Sequence, residues 1–536
     1  MKGYRRFGVM LDCSRNAVMR VSELKKFIDI LEKMGYNMLE LYTEDTLEIK
    51  NEPYFGYLRG RYTSAEIKEI DAYAKEHGVE LIPCIQTLAH FTNLVRIPEY
   101  AQITDIGDIL LIDEPRTYEL LDNIFATLAE NFSSRLVNIG MDEAFMVGLG
   151  KYLKKHGYVD RQKLLLKHLE KVVAIATKYG FKPHMWADMF FRLVNDGKYN
   201  EGAVTIPDVK KLVSEETKKL VPKDVELVYW DYYNDNQEFY DKMIKAHKAF
   251  DREVWFAGGA WSWVGFAPLN GKSLKTMLPA MKSVRENGIK DVMITMWGDN
   301  GGECSFYSLL PSLYAIRQYA DGNYDRKKIE DGFYKLFKIK FSDFMMLDIP
   351  NGETPAEKVQ NPCKSLLYND LFLGYCDRAV AQEKKIPYAQ YAVDLKKVAK
   401  RAGDFDYIFD TQSKLCNALA IKATLGVRAR LAYQSQDKKQ LIAIVKDCDE
   451  LVDRLEVFLS AFRNLWHREN KPHGWEVQDI RLGGLIQRVK TCTLKLREYL
   501  KDKTGMLKIE ELEEVLLPFT GFMQNGYGRL VTPRPL

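Results

Sequence analysis

The chain has 536 residues, of which 46% are hydrophobic and 28% charged, so it can bury a large core and exceeds one typical domain. Its formal net charge of +4 gives no reason to expect nucleic acid or a membrane as a partner. No segment approaches the roughly 18 apolar residues of a membrane span, and the first apolar run stops at Asp12, too early for a signal peptide. The eight cysteines lack a C-x-x-C spacing, which argues against zinc or disulfides and predicts a cytoplasmic protein.

Short apolar runs alternate with amphipathic helical patterns along the first 320 residues. The eight runs are strand-like and lie at 6–12, 36–42, 79–85, 135–140, 182–188, 225–231, 253–259 and 291–297. Helical patterns between them, such as those from Ser22 to Gly35 and from Ser64 to Gly78, have a capping residue, apolar 3–4 spacing and a terminal glycine. Eight such units predict a closed (β/α)8 TIM barrel of the α/β class, and no G-x-G-x-x-G opens any of the helices.

The strand pattern disappears after residues 319–325, and residues 326 to about 515 have helical periodicity. We therefore predict two domains, a catalytic barrel over 1–322 and an α-helical C-terminal domain over 323–536. One tract of the second domain, 464–484, mixes two tryptophans and two histidines with Pro and Gly. It is interpreted either as an interhelix loop anchored by aromatics or as a lid or subunit contact beside the barrel mouth.

Reactive and aromatic side chains follow the predicted strands, where a barrel of this kind carries its chemistry. Five of the eight tryptophans fall at these positions, and a lone tryptophan there would be read as core. Indole faces crowded around carboxylates and an arginine are typical of a sugar pocket, because they cover the apolar faces of a pyranose. The candidates are Asp12, Arg15, Asp45, His90, Asp142, Glu143, Trp186, Asp188, Trp230, Tyr233, Trp261, Trp263, Trp297 and Asp299.

The neighbouring acids Asp142 and Glu143 differ from the chain's other Asp-Glu pairs because they follow a barrel strand. The pair at 113–114 opens a helix beside a proline, and the pair at 449–450 lies inside a helical pattern, so both have ordinary structural explanations. Adjacent side chains on an extended strand point to opposite faces. Asp142 and Glu143 can therefore act on one sugar only if the chain turns there.

The stretch "NIGMDEA" resembles the "[HN]-x-G-x-D-E" signature of glycoside hydrolase family 20, the β-N-acetylhexosaminidases. The resemblance spans the predicted barrel, and "GVMLDCSR" is similar to the family opening whose arginine, here Arg15, binds the 3- and 4-hydroxyls of the sugar. "LELYTED" and "PCIQTLAHF" are similar to two further motifs and imply a supporting role behind Glu143 for Asp45 and His90. "MITMWGDN" is similar to the family's "W-x-E", so Trp297 would close the acetamide pocket and Asp299 would replace a glutamate that holds sugar hydroxyls.

The chain also departs from the family pattern. Gln86 and Thr87 stand where an acid-containing "E-I-D" is usual, and the strand-seven "Y-x-D" is replaced by "GGAWSWVGF". The tyrosine that holds the acetamido oxygen must then come from elsewhere, and Tyr233 is the candidate. Three tryptophans complete the expected substrate-binding set, namely Trp186, Trp230 and Trp261.

The resemblance implies an exo-β-N-acetylhexosaminidase that removes terminal N-acetylglucosamine or N-acetylgalactosamine with retention. The substrate's acetamido oxygen would be the nucleophile, Glu143 the general acid and base, and Asp142 the group that orients the acetamide. No metal or organic cofactor is expected. The expected partner is a glycan or glycoconjugate, with a homodimer as a further option.

Three alternatives stay open. A metal-dependent hydrolase would need histidines at ligand spacing, which the strand ends lack. The related β-N-acetylglucosaminidase family that uses two aspartates is disfavoured by the Asp-Glu pair. A non-catalytic glycan-binding barrel is disfavoured by the intact acids.

Overall fold

The computed structural model describes residues 3–192, 221–352, 361–382, 385–516 and 526–532, with Tyr199, Val213, Glu215, Lys218 and Arg534. Eight parallel strands close a barrel in the order β1-β10-β9-β8-β7-β6-β3-β2. The barrel strands are β1 Arg6–Asp12, β2 Met38–Tyr42, β3 Glu80–Cys84, β6 Leu136–Asn138, β7 Lys182–Trp186, β8 Glu226–Trp230, β9 Val254–Gly259 and β10 Asp291–Met296. The predicted (β/α)8 barrel is confirmed.

Each of the eight predicted apolar runs contains one barrel strand, with small differences at the ends. The largest concerns β6, which stops at Asn138 because Gly140 and Met141 adopt left-handed backbone angles, with φ of 67° and 69°. A short hairpin, β4 Thr104–Ile106 with β5 Ile109–Leu110, is an element that the sequence pattern did not predict.

Helices cover the outside of the barrel between the strands. The helix Ser64–Glu76 begins with a reciprocal capping box between Thr63 and Glu66, and the helix Val21–Met34 ends at Gly35 in the left-handed region. The α-helices of this part are Val21–Met34, Ser64–Glu76, Pro115–Asn131, Lys151–His156, Arg161–Lys178, Asp188–Arg192, Gln237–Lys248, Asn270–Glu286 and Leu310–Ala320. Short 3₁₀ helices lie at Leu94–Arg96, Pro98–Ile103 and Phe306–Leu309.

The rest of the described chain is helical, as predicted. Its α-helices are Arg326–Phe337, Phe341–Met345, Pro362–Tyr368, Asp377–Gln382, Tyr388–Ala399, Asp406–Gln434, Lys438–Glu469, Trp475–Lys501, Glu510–Glu513 and Tyr527–Leu530, with 3₁₀ turns at Met346–Asn351 and Gly403–Phe405. The exact domain boundary at 322/323 stays a prediction. Among the helices described, none has both the length and the apolar composition needed to cross a lipid bilayer.

The tract 464–484 forms the end of one long helix, a short loop and the start of the next. Trp466 and Trp475 are buried, with ring centroids 5.9 Å apart, and the Trp466 indole donates to the carbonyl of Lys471 at 3.1 Å. Neither indole lines the pocket described below. The two tryptophans therefore anchor an interhelix loop, and they are not a lid over the site.

A polar network lies inside the barrel. Glu40 on β2 accepts from the amide of Asn138 on β6 at 2.9 Å and lies 3.0 Å from Nε2 of His184 on β7. All three side chains are fully buried. Since β2 is a neighbour of neither β6 nor β7 in the closed sheet, these contacts run through the barrel interior and join non-adjacent strands.

Replacing Glu40 with Ala should lower the free energy of unfolding by roughly 3–5 kcal/mol, because it leaves Asn138 and His184 without their buried partner. Urea unfolding followed by circular dichroism measures the change. Glu69→Ala is the matched control, since it breaks an exposed ion pair with Lys25 and should cost less than about 1 kcal/mol. Equal losses in the two variants would contradict the role assigned to the interior network.

Candidate active site

A pocket opens where the barrel strands end. It is lined by the last residues of β2, β7 and β8 and by residues that follow the barrel strands, which is the end at which such barrels carry their chemistry. The lining residues are Arg15, Tyr42, His90, Asp142, Glu143, Trp186, Trp230, Tyr232, Tyr233, Trp263, Trp297 and Asp299.

A turn after β6 brings both acids of the Asp-Glu pair to this pocket. Gly140, Met141 and Glu143 all have positive φ, so the chain leaves the strand direction before Asp142. A Cβ on Gly140 would lie 2.1 Å from the side-chain oxygen of Gln86, so only glycine fits that position. The chain therefore turns where it must if Asp142 and Glu143 are to act on the same sugar.

Two contacts stabilise the carboxylate form of Asp142. Its Oδ2 lies 3.1 Å from Nε2 of His90, and its Oδ1 accepts from the Gln86 amide at 3.0 Å. Burial by itself would raise the pKa of Asp142, but the charge and hydrogen bond of His90, with the bond from Gln86, bring that pKa below its ordinary value. Gln86, which replaces an acid of the family pattern, is thus a donor to Asp142.

Glu143 has the opposite environment. Its side chain is 45% exposed, and its Oε2 lies 3.8 Å from His90. Desolvation by the pocket walls and the negative charge of Asp142 raise the pKa of Glu143, while His90 and two arginines oppose the rise. Two adjacent carboxyls are therefore driven apart in pKa, one toward the ionised form and the other toward the protonated form, as acid–base catalysis requires.

His90 supplies the charge that separates them. Burial lowers the pKa of His90, but the charge of Asp142 and its hydrogen bond, with Glu44 behind them, raise it to about 10. The imidazole is thus a cation at neutral pH. The sequence predicted a supporting role for His90 behind Glu143, and that role stays a prediction, because the imidazole lies nearer to Asp142, at 3.1 Å, than to Glu143, at 3.8 Å.

Arg15 and Asp299 lie side by side on the loops that follow the neighbouring strands β1 and β10. The Arg15 Nε lies 3.8 Å from Asp299 Oδ1, and its Nη2 lies 3.2 Å from Glu44. Desolvation and the neighbouring Arg15 have opposing effects on Asp299, whose pKa is raised to about 6. A guanidinium and a carboxyl at this spacing can hold neighbouring sugar hydroxyls from two sides.

The structure gives Asp45 a partner that the sequence did not predict, and its expected supporting role behind Glu143 stays a prediction. Asp45 is buried, pairs with Arg59 at 3.2 Å and does not line the pocket. The adjacent Glu44, which is also buried, contacts two residues that line the pocket: it pairs with Arg15 at 3.2 Å and accepts from the Tyr42 hydroxyl at 3.0 Å. The sequence could not separate the two acids, because Glu44 has a positive φ of 45° and a turn of this kind decides which partner each side chain meets.

The aromatic wall matches most of the predicted set. Trp186, Trp230, Tyr233 and Trp297 line the pocket, and Trp297 packs edge-on against Tyr42 at 4.7 Å. Tyr233 is 41% exposed at the rim, and its predicted contact with an acetamido group stays a prediction.

The expected place of Trp261 among the residues that contact the sugar is corrected, because its ring stacks behind Trp263 at 4.2 Å and Trp263 forms the pocket surface. The Trp261 indole donates to the carbonyl of Tyr232 at 3.0 Å, which fixes the wall from outside. Tyr42 and Tyr232 are lining residues beyond the predicted candidates, and Trp263 is a candidate that was left out of the expected substrate-binding set. All three lie within three residues of another candidate, but the sequence does not show which of several neighbouring side chains faces the pocket.

Within the described residues, no cluster of three or more histidines, cysteines, aspartates or glutamates has an arrangement that could hold a metal ion. The pocket chemistry is that of carboxyls, an imidazole, a guanidinium and aromatic rings. These groups can bind and protonate a sugar.

Two family models match the chain, and together they cover most of it. The "Glycosyl hydrolase family 20, catalytic domain" matches residues 3–256, and the "Glycoside Hydrolase 20C C-terminal domain" matches residues 340–531. The chain belongs to glycoside hydrolase family 20. The first match includes the turn with Asp142 and Glu143, and the second covers most of the C-terminal helices.

Curated relatives are similar over part of their length. Human hexosaminidase D is 26% identical over 41% of this chain and 44% of its own, and a β-hexosaminidase of Vibrio furnissii is 29% identical over 31% of this chain and 34% of its own. The chain thus spans less than half the length of these two relatives. The X-ray structure of a Flavobacterium johnsoniae chitobiase covers 95% of this chain and 74% of its own at 17% identity, with a TM-score of 0.48, a likeness too weak to bear on function.

Replacing Asp142 with Asn should lower the pKa of His90 well below its present value of about 10, because burial then acts with less opposition. A pH titration of the His90 ring by NMR, in protein labelled at the histidine side chain, measures the shift. Asp45→Asn is the control, since Asp45 lies outside the pocket and should leave His90 unchanged. A pKa of His90 that stays near its present value in Asp142→Asn would contradict the pairing.

Proposed function

We propose that this protein is an exo-β-N-acetylhexosaminidase that removes terminal β-linked N-acetylglucosamine or N-acetylgalactosamine from glycans. The observation that carries the proposal is the pair Asp142 and Glu143, turned into one aromatic pocket with pKa values driven in opposite directions. Membership of glycoside hydrolase family 20 and the similarity to proteins named hexosaminidases support it.

The pocket walls suit a sugar. Aromatic rings cover the apolar face of a pyranose, and Arg15 with Asp299 offers donors and acceptors for its hydroxyls.

Glu143 would act as the general acid. Its raised pKa keeps a proton on the carboxyl to higher pH, and its exposure lets the carboxyl reach the oxygen that links the sugar to the rest of the glycan. After the aglycone leaves, the same carboxylate would take a proton from water.

Asp142 is poorly placed to be a nucleophile, because His90 and Gln86 bind both of its oxygens. Each oxygen keeps a second lone pair, so the carboxylate can accept the N–H of a 2-acetamido group and stabilise the charge that develops on it. The nucleophile is then the acetamido oxygen of the substrate, which gives an oxazolinium intermediate and retention. The third carboxyl among the lining residues, Asp299, pairs with Arg15 and is assigned to the sugar hydroxyls, so it is not proposed as the nucleophile.

A cytoplasmic location is part of the proposal. It is supported by the eight cysteines, which are buried and unpaired, as expected in a reducing compartment. A homodimer stays a prediction.

Glu143→Gln should lower kcat/KM for an N-acetylglucosaminyl disaccharide by about 10²–10⁴-fold, because the sugar leaving group needs a proton. The loss should be much smaller for the 4-nitrophenyl glycoside, whose leaving group departs without protonation. Steady-state kinetics on both substrates, with Glu114→Gln in the helix-opening pair as the control, measures the difference. Equal losses on the two substrates would remove Glu143 from the acid role.

Turnover should require the 2-acetamido group, because that group is the nucleophile. A 4-nitrophenyl β-N-acetylglucosaminide should be cleaved, the matching β-glucoside should not, and a thiazoline that mimics the oxazolinium ion should inhibit strongly. Asp142→Asn should reduce turnover by several orders of magnitude while the circular dichroism spectrum stays unchanged. Efficient cleavage of the plain glucoside would exclude substrate assistance, and a wild-type protein that binds N-acetylglucosamine without cleaving either glycoside would favour the glycan-binding barrel.

A further inference from the structure

The loop after β10 carries Asp299 and has an unusual backbone. Asn300, Gly301 and Gly302 have φ of 62°, 135° and 63°, so three successive residues lie in the left-handed half of the backbone map. Within the loop, the Gly302 N–H donates to the carbonyl of Gly298 at 2.8 Å. A backbone of this kind persists when surrounding structure holds it.

The holding contacts come from the C-terminal helices. The Gln478 amide donates to the carbonyl of Gly301 at 3.1 Å, and Arg481 Nη1 donates to the carbonyl of Asn300 at 2.6 Å. A Cβ on Gly301 would lie 2.4 Å from Arg481 Nη1, so glycine is required for the arginine to approach. Two successive peptide carbonyls beside Asp299 are therefore bound by side chains of one helix.

A buried cluster of charged side chains lies at the same contact between the loop and the C-terminal helices. Glu303 lies 2.6 Å from Lys364 Nζ and 3.0 Å from Arg481 Nη1, and the Lys364 amine also donates to the Asn300 carbonyl at 3.3 Å. Lys364 and Glu303 are almost fully buried. Buried ion clusters contribute little net stability, but they strongly disfavour any arrangement that separates the charges. Here the arrangement that they favour is one conformation of the loop.

The chain just before this helix also contacts the loop that follows β1 and carries Arg15. The Arg20 N–H donates to the carbonyl of Glu469 at 2.9 Å, and the Lys471 N–H donates to the carbonyl of Val18 at 2.8 Å. Between these two bonds, Met19 and Asn470 form an isolated antiparallel bridge. Residues 469–481 thus contact both loops that present the Arg15–Asp299 pair.

We propose that residues 469–481, together with Lys364, form a positioning element that sets the separation of Arg15 and Asp299 and thereby the affinity of the pocket for sugar hydroxyls. None of these residues lines the pocket, so they act through the two loops. The effect on sugar affinity rests on the proposed function, whereas the claim that these residues fix the conformation of the loop does not. The element gives the C-terminal helices a role in substrate selection.

Arg481→Met and Gln478→Leu test the proposal, because each removes a donor to the loop with little change in volume. Arg488→Met is the matched control, since Arg488 lies on the same helix and pairs with Asp370, away from the loop. Hydrogen exchange of residues 297–303 should be faster in the two test variants and unchanged in the control. This measurement does not depend on catalysis. Because Arg488→Met also removes an ion pair, the comparison shows whether faster exchange is specific to the loop or follows from any loss of stability.

Kinetics on the 4-nitrophenyl β-glycosides of N-acetylglucosamine and N-acetylgalactosamine provides the second readout. Arg481→Met should raise KM about tenfold with kcat within about twofold, since one charge-assisted contact to hydroxyls is weakened in ground and transition states alike. The preference between the two sugars, which differ in the 4-hydroxyl, should also change, while the leaving-group dependence set by Glu143 should not. Gln478→Leu should shift KM in the same direction by less.

Unchanged hydrogen exchange of residues 297–303 in both test variants would contradict the claim that Arg481 and Gln478 fix the conformation of the loop. Faster exchange with unchanged KM and unchanged sugar preference would overturn the link to the pocket, as would an equal KM rise in Arg488→Met. If the wild-type protein cleaves neither glycoside, the proposed function fails, and hydrogen exchange still decides whether the helices hold the loop.

Discussion

The ion pair between His90 and Asp142 is the contact on which the rest of the pocket depends. It lowers the pKa of Asp142 in a setting where burial by itself would raise it, and the negative charge of Asp142 adds to desolvation in raising the pKa of Glu143. One histidine cation thus separates two adjacent carboxyls into a base-like and an acid-like group. The division of roles follows from environment, since the two side chains differ by one methylene.

That pair requires the backbone turn after β6. His90, Met141 and Glu143 all have positive φ, which costs free energy for residues other than glycine. The barrel supplies the support, because Gln86 bonds both the backbone N–H of Met141 and the Asp142 carboxylate. Strain at the site is therefore held in place by the same side chain that helps to keep Asp142 charged.

The C-terminal helices do more than cover the barrel. They contact the loops after β1 and β10, which are neighbours in the closed sheet although they lie at opposite ends of the barrel sequence. A barrel brings its first and last strands together but leaves their loops free to move independently. A rigid element that touches both removes that freedom, which suits a pocket whose hydroxyl-binding groups come one from each loop.

The sequence by itself determined the eight strands, the helical second half and most of the pocket, because apolar periodicity reports burial and residues at strand ends converge in a barrel. It also placed Asp142 and Glu143 at the site through a motif. Tertiary structure decided the rest. Glu44 pairs with Arg15 whereas Asp45 pairs with Arg59, Trp263 forms the wall with Trp261 behind it, and residues 469–481 contact the two loops without lining the pocket. In each case the outcome depends on local backbone direction or on contacts between residues hundreds of positions apart, and neither leaves a periodic trace in the sequence.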